Sequence, residues 1–196
     1  MSRGLLPVVI VAFLLSGCGY NTLQEYEEDV FKSWADVDAT LQRRADLIPN
    51  LVKVVKGYAA HEKETLQRVV DARTRAQAIQ ISAKDLNNPV AMARLQAGQG
   101  QLSSALLRLL VVVEQYPQLK ASENFLDLQN QLEGTENRIN VARQRYNKAV
   151  SRFNASIRKF PYNLTNALLL HLERKEYFKA EQGARSAPKI GESGKP

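Results

Sequence analysis

The 196 residues are 44% hydrophobic and 24% charged, with ten Gly and seven Pro, proportions that suit one soluble domain with flanking sequence and exclude a disordered chain. One cysteine and two histidines leave no internal disulfide, no cysteine zinc site and no histidine-rich metal centre. The net charge of +7 comes from 27 basic and 20 acidic side chains interspersed along the chain, which argues for solvated faces and against a nucleic-acid partner.

Met1 to Gly17 has a basic start at Arg3, an apolar run from Leu5 to Leu15 and then small residues, the layout of a secretory signal. The run is too short for a transmembrane helix, which needs about 20 apolar residues, and Pro7 interrupts it. Leu15-Ser16-Gly17-Cys18 resembles the lipobox of bacterial lipoproteins, which makes Cys18 the lipid attachment point. Cleavage before Cys18 removes Arg3 and lowers the net charge from +7 to +6. Diacylglyceryl and N-acyl chains together hold a protein stably on a membrane, at about 0.8 kcal/mol per buried methylene. The body then lies outside the cytoplasm. In a cell with two membranes, Gly19 in place of Asp resembles the signal for export to the outer membrane, on its periplasmic side. The chain divides into a signal peptide over 1–17, a lipidated anchor and linker over 18–21, a helical body over 22–180 and a flexible polar tail over 181–196.

From Tyr20 onward apolar residues recur at three- and four-residue spacing with no sustained period of two, so the body is all-α. The capping box Thr22-Leu23-Gln24-Glu25 predicts a helix start. Its stripe runs through Leu23, Tyr26, Val30, Trp34, Val37, Leu41, Ile48, Leu51, Val52, Val55, Tyr58, Leu66 and Val69 and keeps phase across Pro49. That favours one long helix kinked at Pro49, which has no N–H for the carbonyl of Ala45. The alternative is a break, with Pro49 opening a new helix. Asn88-Pro89 reads as an N-cap and first helical residue. The segment it opens carries Ala91, Ala93, Ala97, Gly98, Gly100, Ser103 and Ser104, small enough for close approach of a neighbour, and then the apolar run Leu106 to Val113. It is the helix expected to be most buried, ending at Gln115-Tyr116-Pro117.

Ser122 to Lys159 carries a heptad seam, with Phe125, Leu132, Ile139, Tyr146, Phe153 and Phe160 at one position and Leu128, Thr135, Ala142, Ala149 and Ser156 at the other. Such a 38-residue helix is about 57 Å long, against about 40 Å for a compact globule of this size, so an elongated antiparallel four-helix bundle with coiled-coil-like helices is expected. Phe160-Pro161 ends the helix, and a last amphipathic helix is predicted from Asn163 to about Ala180. On the heptad a triplet repeats: Arg138-Ile139-Asn140, Arg145-Tyr146-Asn147 and Arg152-Phe153-Asn154. Either the Arg residues flank the seam and pair with acids on a neighbouring helix while the Asn residues bond across it, or the ladder is a docking surface for a partner.

Arg44-Ala45-Asp46-Leu47-Ile48-Pro49-Asn50-Leu51-Val52, Gly57-Tyr58-Ala59-Ala60-His61-Glu62, Tyr116-Pro117-Gln118-Leu119-Lys120-Ala121, Thr135-Glu136-Asn137-Arg138, Tyr146-Asn147 and Phe160-Pro161 together resemble the LemA family over nearly the whole body. The resemblance implies a four-helix bundle outside the plasma membrane, acting as a membrane-anchored scaffold found with envelope peptidase or TPM-domain proteins, and one branch resembles magnetosome-membrane proteins. Many relatives use an N-terminal transmembrane helix, so the lipobox changes the anchor and leaves the body alone.

Chemistry-bearing motifs are few. In His61-Glu62 the second histidine of a zinc-binding H-E-x-x-H helix is replaced by Thr65, and His171 has no patterned carboxylate partner, so neither a metal nor another cofactor is expected. Arg44, Asp46 and Asn50 around Pro49 either satisfy the backbone at the kink or form a recognition point for a partner. The expected protein is a membrane-anchored, non-catalytic interaction scaffold of the bacterial envelope, with self-association a further possibility. The alternatives are a regulatory subunit of an envelope peptidase system and a membrane-organising protein.

Overall fold

The computed structural model describes residues 5–179, with side chains from residue 19 onward. Residues 1–4, the tail expected over 181–196 and the side chain of Cys18 lie outside the described residues. The described chain is all-α: α1 Leu5–Tyr58, α2 Lys63–Gln77, α3 Pro89–Val113, α4 Pro117–Lys120, α5 Glu123–Ser156 and α6 Tyr162–Thr165. A 3-10 turn covers Ala83–Asn87 and a π turn Asn166–Leu170. Among the described residues no helix is long and apolar enough to cross a membrane.

α1 differs from expectation at both ends. The capping box at Thr22 does not open it, because the backbone is already helical from Leu5 and a cap is needed only where the chain enters a helix. At the other end the helix passes through Pro49 but stops at Tyr58, well short of Val69. The Ala59 N–H donates to the Val55 carbonyl (2.8 Å) and the Glu62 N–H to the Ala59 carbonyl (3.1 Å), and α2 follows. Val55 and Leu66 are 11 residues apart, three turns at 3.6 residues each, so the apolar phase survives the reversal. Tyr58, counted on the stripe, is exposed.

α5 runs antiparallel to α1, since Arg152 faces Asp29, Tyr146 faces Trp34 and Glu136 faces Arg44. The heptad seam is the buried face of α5: Phe125, Leu128, Thr135, Ile139, Ala142, Tyr146, Phe153 and Ser156 are buried and Leu132 and Ala149 half-buried. Phe160 lies beyond the helix and is 78% exposed. α3 packs on α2, and a Cβ at Gly98 would stand 2.7 Å from Ile79 Cδ1, the close approach expected of its small residues. α3 is nevertheless not the best-buried helix. Its apolar run is divided, with Leu109 and Val113 inward and Leu107 and Val111 exposed, and Gly100 faces open space. Asn88 Oδ1 caps α3 by accepting from the Val90 and Ala91 N–H groups (2.9 and 3.2 Å), with Pro89 first in the helix as expected.

Two apolar cores result. A proximal core, at the end where α1 begins, joins Leu23, Val30, Trp34, Tyr146, Val150 and Phe153 to Met92, Leu95 and Phe178. A distal core joins Ile48, Leu51, Val55, Val69, Leu102, Leu109 and Phe125. Of the last helix expected from Asn163 to Ala180 only the first half forms. α6 and the π turn end at Leu170, His171 adopts a left-handed backbone (φ 52°), and residues 172–179 return along α5 as a strap without regular structure.

Candidate functional site

The repeated triplet acquires its meaning from the strap. A chain laid against helices without regular structure of its own exposes backbone N–H and C=O groups that must be met. Asn154 meets both groups of one residue, donating Nδ2–H to the Lys175 carbonyl and accepting the Lys175 N–H at Oδ1, each at 2.9 Å. One heptad earlier, Asn147 does the same for Phe178 at 3.0 and 2.9 Å. The match is metric: seven helical residues rise about 10.5 Å and three extended residues span about 10 Å. Asn166 holds Leu172 in the same two-handed way. The Tyr146 hydroxyl donates to the Glu176 carbonyl (2.9 Å), and burial, with the Glu176 carboxylate second, raises its pKa far above the ordinary phenol value. The Glu176 N–H donates to the Leu86 carbonyl (2.7 Å).

Strap side chains complete the proximal core. Phe178 stacks on Trp34 at 5.9 Å between centroids and meets the edge of Tyr146 at 5.6 Å. The Lys175 ammonium pairs with Glu27 at 2.6 Å where both are largely buried, beside the Phe31 and Phe153 rings. Of the ladder, Asn147 and Asn154 thus face the strap rather than a neighbouring helix. Arg138, Asn140, Arg145 and Arg152 are exposed. Arg152 reaches Asp29 at 4.0 Å and covers the Tyr26 ring at 4.5 Å, as a seam-flanking arginine should.

The residues around Pro49 part company. Arg44 points inward and is 2% exposed, donating to Glu136 Oε2 (2.8 Å), Ser103 Oγ (3.2 Å) and Gln99 Oε1, and so joins α1, α3 and α5 in a polar layer between the two cores. Asp46, Pro49 and Asn50 face outward, Asp46 accepting from Gln42 (2.8 Å). The carbonyl that Pro49 leaves without a helical partner is that of Ala45, and Arg73 of α2 supplies the donor from Nε at 2.7 Å. None of Arg44, Asp46 and Asn50 does this, as the sequence suggested they would. His61 is exposed, and Glu62 accepts from the Tyr116 hydroxyl (3.0 Å), raising the pKa of that phenol.

Sequence reasoning missed a groove of about 960 Å³ between α2 and α3. The small residues Ala72, Ala97, Gly100, Ser104 and Ala105 leave its middle open. Arg68, Arg75 and Arg108 line it, and Arg143, Phe178 and Lys179 line it where Gln96 holds the end of the strap through the Lys179 N–H (3.2 Å). Among the described residues no acidic side chain lines it, although Arg68 pairs outside with Glu64. Cations that look interspersed in sequence are gathered by the fold. The detectable signal was the spacing of Arg68 and Arg75, two turns apart on one face of α2, opposite the small face of α3.

Residues 33–191 match the LemA family, and the chain belongs to it. It is 30% identical over 199 residues to each of two proteins of Paramagnetospirillum magneticum, magnetosome proteins MamQ 1 and MamQ 2, with 93% of this chain and 72% of theirs covered. It is 28% identical over 175 residues to magnetosome protein MamQ of Magnetospirillum gryphiswaldense, with 81% of this chain and 64% of that one covered.

Proposed function

We propose that this LemA-family chain is a membrane-anchored, non-catalytic scaffold of the bacterial cell envelope, an elongated four-helix bundle that receives an acidic segment of another envelope protein in the groove between α2 and α3. The carrying observation is that groove: among the described residues, five cationic side chains and no acidic one stand around a floor of small residues. Small floors let a partner backbone come close, and like-signed walls select its charge. The anchor is lipid on Cys18, which keeps the body outside the cytoplasm, on the periplasmic face of the outer membrane where there is one. The antiparallel register of α1 and α5 supports the bundle, and the partner is of the peptidase or TPM-domain type. The magnetosome names of the relatives favour a second reading, a membrane-organising protein in which copies associate through the exposed Arg138, Asn140 and Arg145.

The test is photocrosslinking in intact cells from a probe at Ser104, on the groove floor. The expected result is one dominant envelope protein, lost in Arg75→Glu/Arg108→Glu. The same product in the variant, or no product from either, removes the groove from partner binding. A product made only of this chain favours the second reading. Cys18→Ala is expected to release a folded body from the membrane, and its retention there would overturn the lipid anchor.

A further inference from the structure

The end of the body nearest the start of α1 carries the two most exposed large apolar side chains among the described residues, Phe160 and Leu168. Phe160 (78% exposed), Leu168 (75%), Leu169 and Leu164 stand out in the segment that joins α5 to the strap. Such a cluster of large apolar side chains marks a binding surface on a soluble body. Its position limits what can cover it. Gly19 of α1 packs against this segment, close to Thr165 and Tyr162. Along α1, Gly19 follows directly on Cys18, the lipid attachment point of the reading above, a rise of about 1.5 Å. That is well within the depth to which interfacial side chains enter a bilayer, about 5–10 Å. Charge agrees with place: residues 157–172 include Arg158, Lys159 and His171 and no acidic residue, and Arg158 and Lys159 are exposed.

We infer that residues 160–169 form a second membrane contact, an apolar tip that enters the interface of the same bilayer that holds the N-terminus, with Arg158 and Lys159 on its anionic headgroups. This rests on the membrane-anchored reading above. The two contacts lie side by side, so they fix the angle of the body to the bilayer, which one lipidated cysteine alone would leave free. The strap begins immediately after the tip, which links membrane contact to the strap's first clamp, at Leu172.

The experiment uses the full chain isolated from membranes and reconstituted into phosphatidylcholine vesicles, with and without phosphatidylglycerol, containing brominated phospholipid. Leu168→Trp is compared with Val111→Trp, an exposed site on distal α3, and Trp34, buried in the proximal core, is common to both. The added Trp at 168 is expected to shift to the blue and lose most of its emission to bromine, more so with phosphatidylglycerol, and the one at 111 to do neither. Vesicle-bound protein with neither Trp quenched overturns the tip and leaves the anchor standing. Equal quenching at both sites overturns the orientation. Protein that does not float with the vesicles at all overturns the tip and the anchored reading together.

Discussion

Around Ile48, Leu51 and Val55 in the distal half, α1 is covered by α2, α3 and α5; around Leu23, Val30 and Trp34 in the proximal half, the same helix is covered by α5, the start of α3 and a strap with no helix in it. A helix satisfies its own backbone and needs only apolar residues at the right spacing to pack. The strap has to borrow its hydrogen-bond partners. The distal half is therefore specified by periodicity, and the proximal half by a few polar side chains, chiefly Asn147, Asn154 and Asn166.

The largest effect is expected where the halves meet. Arg44→Ala should cost about 3 kcal/mol, because it strips Gln99 and Glu136 of a buried partner, though Glu136 is 44% exposed and recovers some water. Trp34 is the sole tryptophan and sits in the proximal core, so its fluorescence reports that half while circular dichroism reports all the helices. Urea transitions by the two signals should shift together, and a shift in only one would mean that the halves unfold independently. Next, Asn154→Ala should cost about 2 kcal/mol through its two lost hydrogen bonds. Hydrogen exchange should accelerate at Lys175 and leave α2 unchanged. If α2 accelerates equally, the strap is no separate device.

The distal counterpart is smaller. Arg73→Met leaves the Ala45 carbonyl without its donor and should cost about 1 kcal/mol. In a Pro49→Ala background, where an N–H is restored to the helix, the same change should cost less than half as much, and equal costs would dissociate Arg73 from the proline. The smallest effect is electrostatic. Hydrogen bonds from the Ser82 hydroxyl (2.6 Å) and N–H (3.1 Å) hold Asp85 below the ordinary carboxylate pKa. A pKa lowered by folding stabilises the folded state above the unfolded value of 3.8, and that contribution fades as pH falls through the lower folded value. The gap in urea midpoint between wild type and Asp85→Asn should therefore be constant near neutrality and shrink below pH 3.8.

This contrast also explains what could be read from the chain. Phe125 to Ser156 was legible because a long heptad seam has no other economical packing, and Asn88-Pro89 because capping chemistry is local. The turn after Tyr58 was hidden by a reversal that happens to span whole helical turns. The strap was hidden more deeply, since Leu172 to Lys179 has ordinary helix-forming residues and is pulled straight by asparagines far away in sequence. Those asparagines were visible, but what they hold was not. The groove was invisible as a site because its cations come from three helices and the strap.

The polar layer at Arg44 has one more consequence. A seam that repeats every seven residues, with Arg and Asn at matching positions in each repeat, gives α5 several nearly equivalent ways of lying on α1. Sliding by one repeat would set Arg44 opposite Arg143 in one direction and Gln129 in the other, a repulsion or an unanswered charge in place of the ion pair with Glu136. The buried arginine is thus a key with a single notch. It makes one alignment of a self-similar helix the correct one, and through it sets which asparagine reaches which strap residue.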